Sequence, residues 1–242
     1  MEEKYKNAVA EFNKFTNKYN HDDPMISRKY YHTFRVADYA KEIATKEGLN
    51  EQDVFIAYLC GLLHDIARFR QAEEYQTFYD IKSFDHGDVG ALVLQDNNYI
   101  ENYIQDKESQ NIIIKAVKNH NKFSIEDSLN ERELFFAKLV RDADKIDILD
   151  KLTNEIKDSS NTIEPEVLQA LKEHRLYKYK GKLPNDVSRI VGYLCYVYDL
   201  NFNSTLNILK NAGILDRKLN LLEQYVDDDT MKVIKDNLNE VI

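Results

Sequence analysis

An all-α fold is predicted for this 242-residue chain from three observations: scarce turn formers, apolar residues at helical spacing, and well-placed helix boundary signals. Only 7 Gly and 3 Pro occur, where average usage gives roughly 17 and 12. A protein of many short strands needs far more turn residues than that. The first helix is predicted over residues 3–18, and the polar stretch 20–24, Asn-His-Asp-Asp-Pro, reads as a loop. A second helix is predicted over 27–46, where Tyr31, Phe34, Val36, Tyr39, Ala40 and Ile43 follow helical spacing. Gly48 suits the left-handed position after its end, and Asn50 with Asp53 resembles a capping box for the next helix. That third helix carries the run 54–63, apolar on every side, and is expected to be the central buried helix. It ends in His64-Asp65, and a carboxylate leaving an apolar core is costly unless paired or bound to a cation. Further helices are predicted over 86–95, 109–119, 131–157, 164–175, 186–200, 204–211 and 219–237.

Composition narrows the function classes. Lys and Arg total 33 against 42 Asp and Glu, a net charge of −9. Phosphate polymers and anionic membranes are bound mainly through cationic surface, so neither is an expected partner. The longest apolar run is about half of a bilayer span. Residues 1–15 contain no apolar targeting core, and a cytoplasmic protein is expected. Cys60 and Cys195 lie far apart within apolar patterns and read as buried free thiols. No repeat or Gly/Ser-rich linker divides the chain, and the stretch Lys180-Gly181-Lys182-Leu183-Pro184 is the best candidate for a subdomain boundary. Sixteen tyrosines are as compatible with a homo-oligomer interface as with an aromatic-rich core.

Four of the six histidines stand in distinctive contexts: His32 in HTFRVADYA, His64 in LLHDIARF, His86 in SFDHGDVGA and His120 in AVKNHNKF. Asp144 in LVRDADKIDIL is an acidic residue within an otherwise apolar helix. Imidazoles and carboxylates converging from several helices are how helical bundles build metal sites. The order His, His-Asp, Asp, with HTFRV, LLHDI and DADK around it, resembles the HD-domain superfamily of metal-dependent phosphohydrolases. The resemblance runs from His32 through Asp144. It implies an HD-domain helical bundle over 25–152, preceded by a helix and loop over 1–24. A C-terminal helical extension over 153–242 would pack on that core.

Carried over position by position, the resemblance makes His32, His64, Asp65 and Asp144 ligands of a first metal. His86 and His120 lie where dinuclear, phosphodiesterase-like members place further histidines, and Asp65 would then bridge two ions. The two histidines have alternatives: a helix N-terminus for His86, a helix end for His120, or direct contact with a substrate phosphate beside a single metal. Such donors suit one or two divalent transition ions, Mn, Fe, Co, Ni or Zn, without choosing among them. A metal there supplies hydroxide for attack on phosphorus. Positive charge for the phosphate is expected from Arg68, three residues after Asp65, and from Lys145, next to Asp144; either residue alternatively forms a plain salt bridge. Arg175 lies in the basic, aromatic stretch 172–182, which reads either as a substrate-holding lid or as a surface loop with solvated lysines. Asp142, Asp147 and Asp150 are expected to be solvated or to support the ligands.

Two familiar activities are disfavoured. Alarmone hydrolases usually follow the His-Asp pair with Glu-Asp, where this chain has Arg68-Phe69, and the Gly-Tyr-Pro signature of cyclic-dinucleotide enzymes is absent. The leading expectation is hydrolysis of a phosphoester in a small, nucleotide-like substrate. The alternatives are a nucleotide-binding or regulatory module without turnover and a di-iron oxygenase using the same ligands.

Overall fold

The structure, a computed structural model, describes residues 2–152, 155–158, 161–178 and 183–241, and among them all regular secondary structure is helical. The chain forms two compact units, residues 1–144 and 145–242.

In the first unit α1 spans Glu2–Thr16 and α2 spans Pro24–Lys46. Helix α2 begins three residues earlier than expected. Asp23 accepts a hydrogen bond from the Met25 amide at 2.7 Å, and Pro24 takes the first helical position, where its missing N–H costs nothing. It ends as anticipated at Gly48, φ 75°, with the Gly48 and Leu49 amides bonded to the Thr45 and Ala44 carbonyls. Helix α3, Glu51–Leu63, starts at Asn50, whose side chain accepts from the Gln52 and Asp53 amides. From Phe55 to Leu63 every residue is buried, which makes α3 the central helix of this unit. It packs on α2 at near backbone contact: a Cβ on Gly61 would stand 2.6 Å from the Ala37 Cα. Only glycine permits that approach.

After a turn over 64–67 comes α4, Arg68–Tyr75, which was not anticipated. Its N-terminus has no side-chain cap, and it buries only Phe69, Gln71 and Ala72, so it carries little of the usual helix signal. Helix α5, His86–Gln95, is capped by Asp85, and α6, Lys107–Asn119, by Asp106. Helix α7, Glu131–Lys151, opens with a reciprocal box in which Asn130 and Glu133 each accept the other's amide at 3.0 Å. It stops six residues short of the expected 157.

In the second unit the Leu152 carbonyl, just past the end of α7, accepts from the fully buried Lys218 ammonium at 2.6 Å. Helices α8, Pro165–Lys172, and α9, Asp186–Leu194, are followed by a 3₁₀ turn, Cys195–Asp199, where an α-helix to residue 200 was expected. Helix α10, Asn203–Asn211, precedes α11, Ile214–Leu222, and α12, Asp228–Asn239. The single helix expected over 219–237 is therefore two. Asp227 turns the chain by capping α12 through the Thr230 amide at 2.8 Å. Of the boundary stretch 180–184, residues 180–182 lie outside the described residues, as does Tyr179 of the expected lid. No described helix is long and apolar enough to cross a membrane.

Candidate metal centre

All six residues singled out as metal ligands lie in the first unit, on different elements. His32 sits midway along α2, His64 at the end of α3, Asp65 in the following turn, His86 at the start of α5, His120 at the end of α6, and Asp144 on α7. The turn keeps a tight i to i+3 pattern, with Ile66 N–H on the Leu63 carbonyl and Arg68 N–H on the Asp65 carbonyl. Apart from Asp144, which is partly exposed, these side chains are buried.

The Asp65 carboxylate is the centre of the arrangement. Its Oδ2 lies 3.4 Å from His32 Nε2 and 3.3 Å from His64 Nε2, while its Oδ1 lies 3.4 Å from His86 Nε2 and 3.6 Å from His120 Nε2. Asp144 Oδ1 completes the first side at 3.1 Å from His32 Nε2 and 3.8 Å from His64 Nε2. The imidazoles face one another in pairs, His64 with His32 at 3.2 Å and His86 with His120 at 3.0 Å between Nε2 atoms.

These pairs meet the donor chemistry of a divalent ion. His64 Nδ1 donates to the Gly61 carbonyl at 2.6 Å and His120 Nδ1 to the Val117 carbonyl at 2.7 Å. His86 Nδ1 donates to Asp80 Oδ2 at 2.6 Å. With the proton held on Nδ1, each neutral ring presents a lone pair at Nε2. Two lone pairs facing each other at 3.0 Å repel unless a cation lies between them. Donors about 2.1 Å from a shared ion stand about 3.0 Å apart at an octahedral angle and about 3.4 Å at a tetrahedral one. His32, His64 and Asp144 offer ligand atoms within 4.8 Å of one another, and so do His64, Asp65 and His120. The residues fit a divalent metal.

Electrostatics keep the donors ready. Burial pushes the His64 imidazolium down, and burial with the nearby Arg68 brings His86 to about 3, so both rings are neutral at neutral pH. Burial alone would raise the Asp65 carboxyl, but the Lys29 ammonium beside it holds it well below the usual carboxylate range. Burial alone would raise the Asp144 carboxyl as well, but its hydrogen bond with His32 holds it low.

The three expected cations all have carboxylate partners. Arg68 Nε approaches Asp65 Oδ1 at 3.5 Å, but its Nη1 donates to Gln71 Oε1, to the Phe78 carbonyl at 2.8 Å and to Asp80 Oδ1 at 2.9 Å. Lys145, in the second unit, donates to Asp199 Oδ2 at 2.5 Å and to its carbonyl at 2.8 Å. Arg175 Nε pairs with Glu173 at 2.5 Å. Asp142 and Asp147 are buried rather than solvated, and Asp150 pairs with Arg217 at 2.8 Å.

Lys29, which its sequence context did not single out, places its Nζ 2.5 Å from Asp65 Oδ2. It precedes His32 by one helical turn, the spacing at which neighbours share a face, and that signal was available. Asp80 and Asn121 were likewise not singled out: Asp80 accepts the His86 Nδ1 proton from a loop, and Asn121, the residue after His120, donates to Asp80.

No curated protein and no solved structure shows significant similarity to the chain. The family model for the HD domain matches residues 30–152, a stretch that contains all six converging residues. With half of its length covered by that match, the chain belongs to the HD-domain family, whose members are typically metal-dependent phosphohydrolases.

Proposed function

We propose that this protein hydrolyses a phosphoester bond of a small, nucleotide-like substrate at the centre built around Asp65. The reading rests most on one observation: each Asp65 oxygen faces its own pair of imidazole Nε2 atoms. A divalent ion held by His32, His64, Asp65 and Asp144, with a second held by Asp65, His86 and His120, would lower the pKa of a coordinated water and offset phosphate charge. The protein's own part is to orient the imidazoles through their Nδ1 partners, to hold His64 and His86 neutral, and to keep Asp65 ionised. Hydrolysis breaks the P–O ester bond, water supplying the hydroxyl on phosphorus and the proton on the leaving alcohol.

Lys29 and Arg68 bring positive charge to the centre. They flank the Asp65 carboxylate, and with Arg28 they surround the Phe78 ring at 5.2–5.5 Å. Lys29 contacts Oδ2, the same oxygen that His32 and His64 face, so added positive charge there frees its ammonium for a phosphate oxygen. Lys145 and Arg175 are already neutralised by Asp199 and Glu173, so they reach a phosphate only by leaving those partners.

The test joins metal analysis of protein purified without added metal to a panel of phosphomonoesters and phosphodiesters. At least one metal per chain and turnover of some panel member are expected, both lost in Asp65→Ala. Full metal content in that variant would sink the ligand assignment. Tight nucleotide binding without turnover would favour a binding module, and an oxygen-sensitive iron pair an oxygenase.

A further inference from the structure

The two sides of the centre hold their imidazoles by different means. His64 and His120 each give the Nδ1 proton to a carbonyl three residues back, so helical backbone sets their orientation. His86 stands at the first position of α5 and has no such carbonyl. Its Nδ1 donates instead to the Asp80 carboxylate, six residues earlier in the loop between α4 and α5.

Asp80 is itself held from several directions. Its Oδ1 accepts from Arg68 Nη1 at 2.9 Å and from Gln71 Nε2 at 3.0 Å, and its Oδ2 accepts from Asn121 Nδ2 at 3.1 Å. Gln71 is fully buried and also donates to Ser83 Oγ at 2.7 Å, which ties α4 to the loop. Asn121 donates to Asp85 Oδ1 at 2.9 Å as well. It lies against Gly87, where a Cβ would come within 2.3 Å of its Oδ1. Four donors from three parts of the chain thus converge on one carboxylate, and that carboxylate sets the tautomer of one imidazole. A carboxylate on the far nitrogen of a ligating histidine fixes the ring and strengthens its donor atom.

We infer that Asp80 is a positioning residue that makes His86 a competent ligand, and that the second metal position fills only while the loop carrying Asp80 stays docked through Arg68, Gln71 and Asn121. This rests on the metal-centre reading above. It gives Arg68 a role as strap of that loop, distinct from phosphate contact. The first position, served by His32, His64 and Asp144, does not depend on Asp80.

The experiment is a Mn²⁺ titration of the full chain, followed by calorimetry and by electron paramagnetic resonance, in which a spin-coupled pair is distinct from an isolated ion. Wild type is expected to take up two ions and show the coupled signal. Asp80→Asn should bind the first ion within about twofold of wild type, while the second weakens on the order of 10- to 100-fold and the coupled signal gives way to the isolated one. Asp80→Glu, which keeps the charge, should recover part of the second affinity. In a His86→Gln background Asp80→Asn should change nothing further. Equal weakening of both ions, or wild-type binding of both, in Asp80→Asn would overturn the inference. If His86→Gln still binds two ions, or wild type binds only one, the two-ion reading fails and the inference falls with it. Loss of the second ion in His86→Gln but not in Asp80→Asn leaves the reading standing and removes Asp80 alone.

Discussion

The His32 side of the centre and the His86 side hold similar donors on different supports. His32, His64 and Asp144 come from α2, the end of α3 and α7, the first two pressed together at Gly61 with no space for a side chain. On the other side His120 is nearly as well fixed. Arg141, buried on α7, donates to the carbonyls of Asn119 and His120 and so holds the end of α6, where a cation also suits the helix dipole. His86 is the exception, its ring governed by a loop side chain. Helix packing is cooperative and hard to disturb locally, whereas a loop held by hydrogen bonds opens at lower cost. The two sides should therefore differ in how readily their metal is lost.

The strongest test of that difference removes one donor from each side. His32→Gln takes a ligand from the first position and is expected to lower metal affinity there by 100-fold or more, with activity falling to background. His120→Gln is expected to leave one tightly bound ion per chain, with activity reduced but measurable. Metal content after dialysis against a chelator, read with turnover of the best panel substrate, separates the two. Equal loss of metal in both variants would show that the sides are one cooperative unit.

The sequence spoke most clearly where local chemistry decides structure. Asn50 and Gly48 marked boundaries of α3 and α2 because a cap and a left-handed turn are properties of single residues. Helix α4 was missed since RFRQAEEY has no cap and packs through only three residues. The split between α11 and α12 was missed because Asp227 looks like any acidic residue until its cap is made. At the centre, His32, His64, Asp65 and Asp144 were found through flanking motifs. Asp80 could not be. Its partner Asn121 lies 41 residues away, and a contact between a loop and a helix end leaves no periodic trace in either segment.

A smaller effect follows from acid. The His86 imidazolium is brought to about 3 in the folded protein by burial and by Arg68, against about 6.5 in an unfolded chain. Between those values the unfolded chain holds a proton that the folded one does not, so stability of the metal-free protein falls as pH drops from about 6.5 toward 3. Each such group contributes up to about 1.4 kcal/mol per pH unit over its window. His64 is shifted in the same direction. Urea unfolding of metal-free protein at a series of pH values is expected to show this slope, less steep in His86→Gln. An identical slope in that variant would mean the ring is not held neutral.

The mildest change tests the shared oxygen. Lys29 and the His32 side meet at Asp65 Oδ2, so the ammonium competes with a metal there and should assist only once substrate arrives. Lys29→Gln removes a charge without removing a ligand. Metal affinity at the first position should hold or rise, opposite to the loss expected from His32→Gln. A charge-assisted hydrogen bond to phosphate is worth about 1.5–3 kcal/mol, so KM should rise about tenfold or more while kcat changes less. Lys29→Arg should restore most of the KM, since it returns the charge. Should KM stay at the wild-type value while metal affinity falls, Lys29 would belong to the support of Asp65 and not to the substrate. The positive charge for the phosphate would then have to come from Arg68, at the cost of its hold on Asp80 and with it of the His86 side.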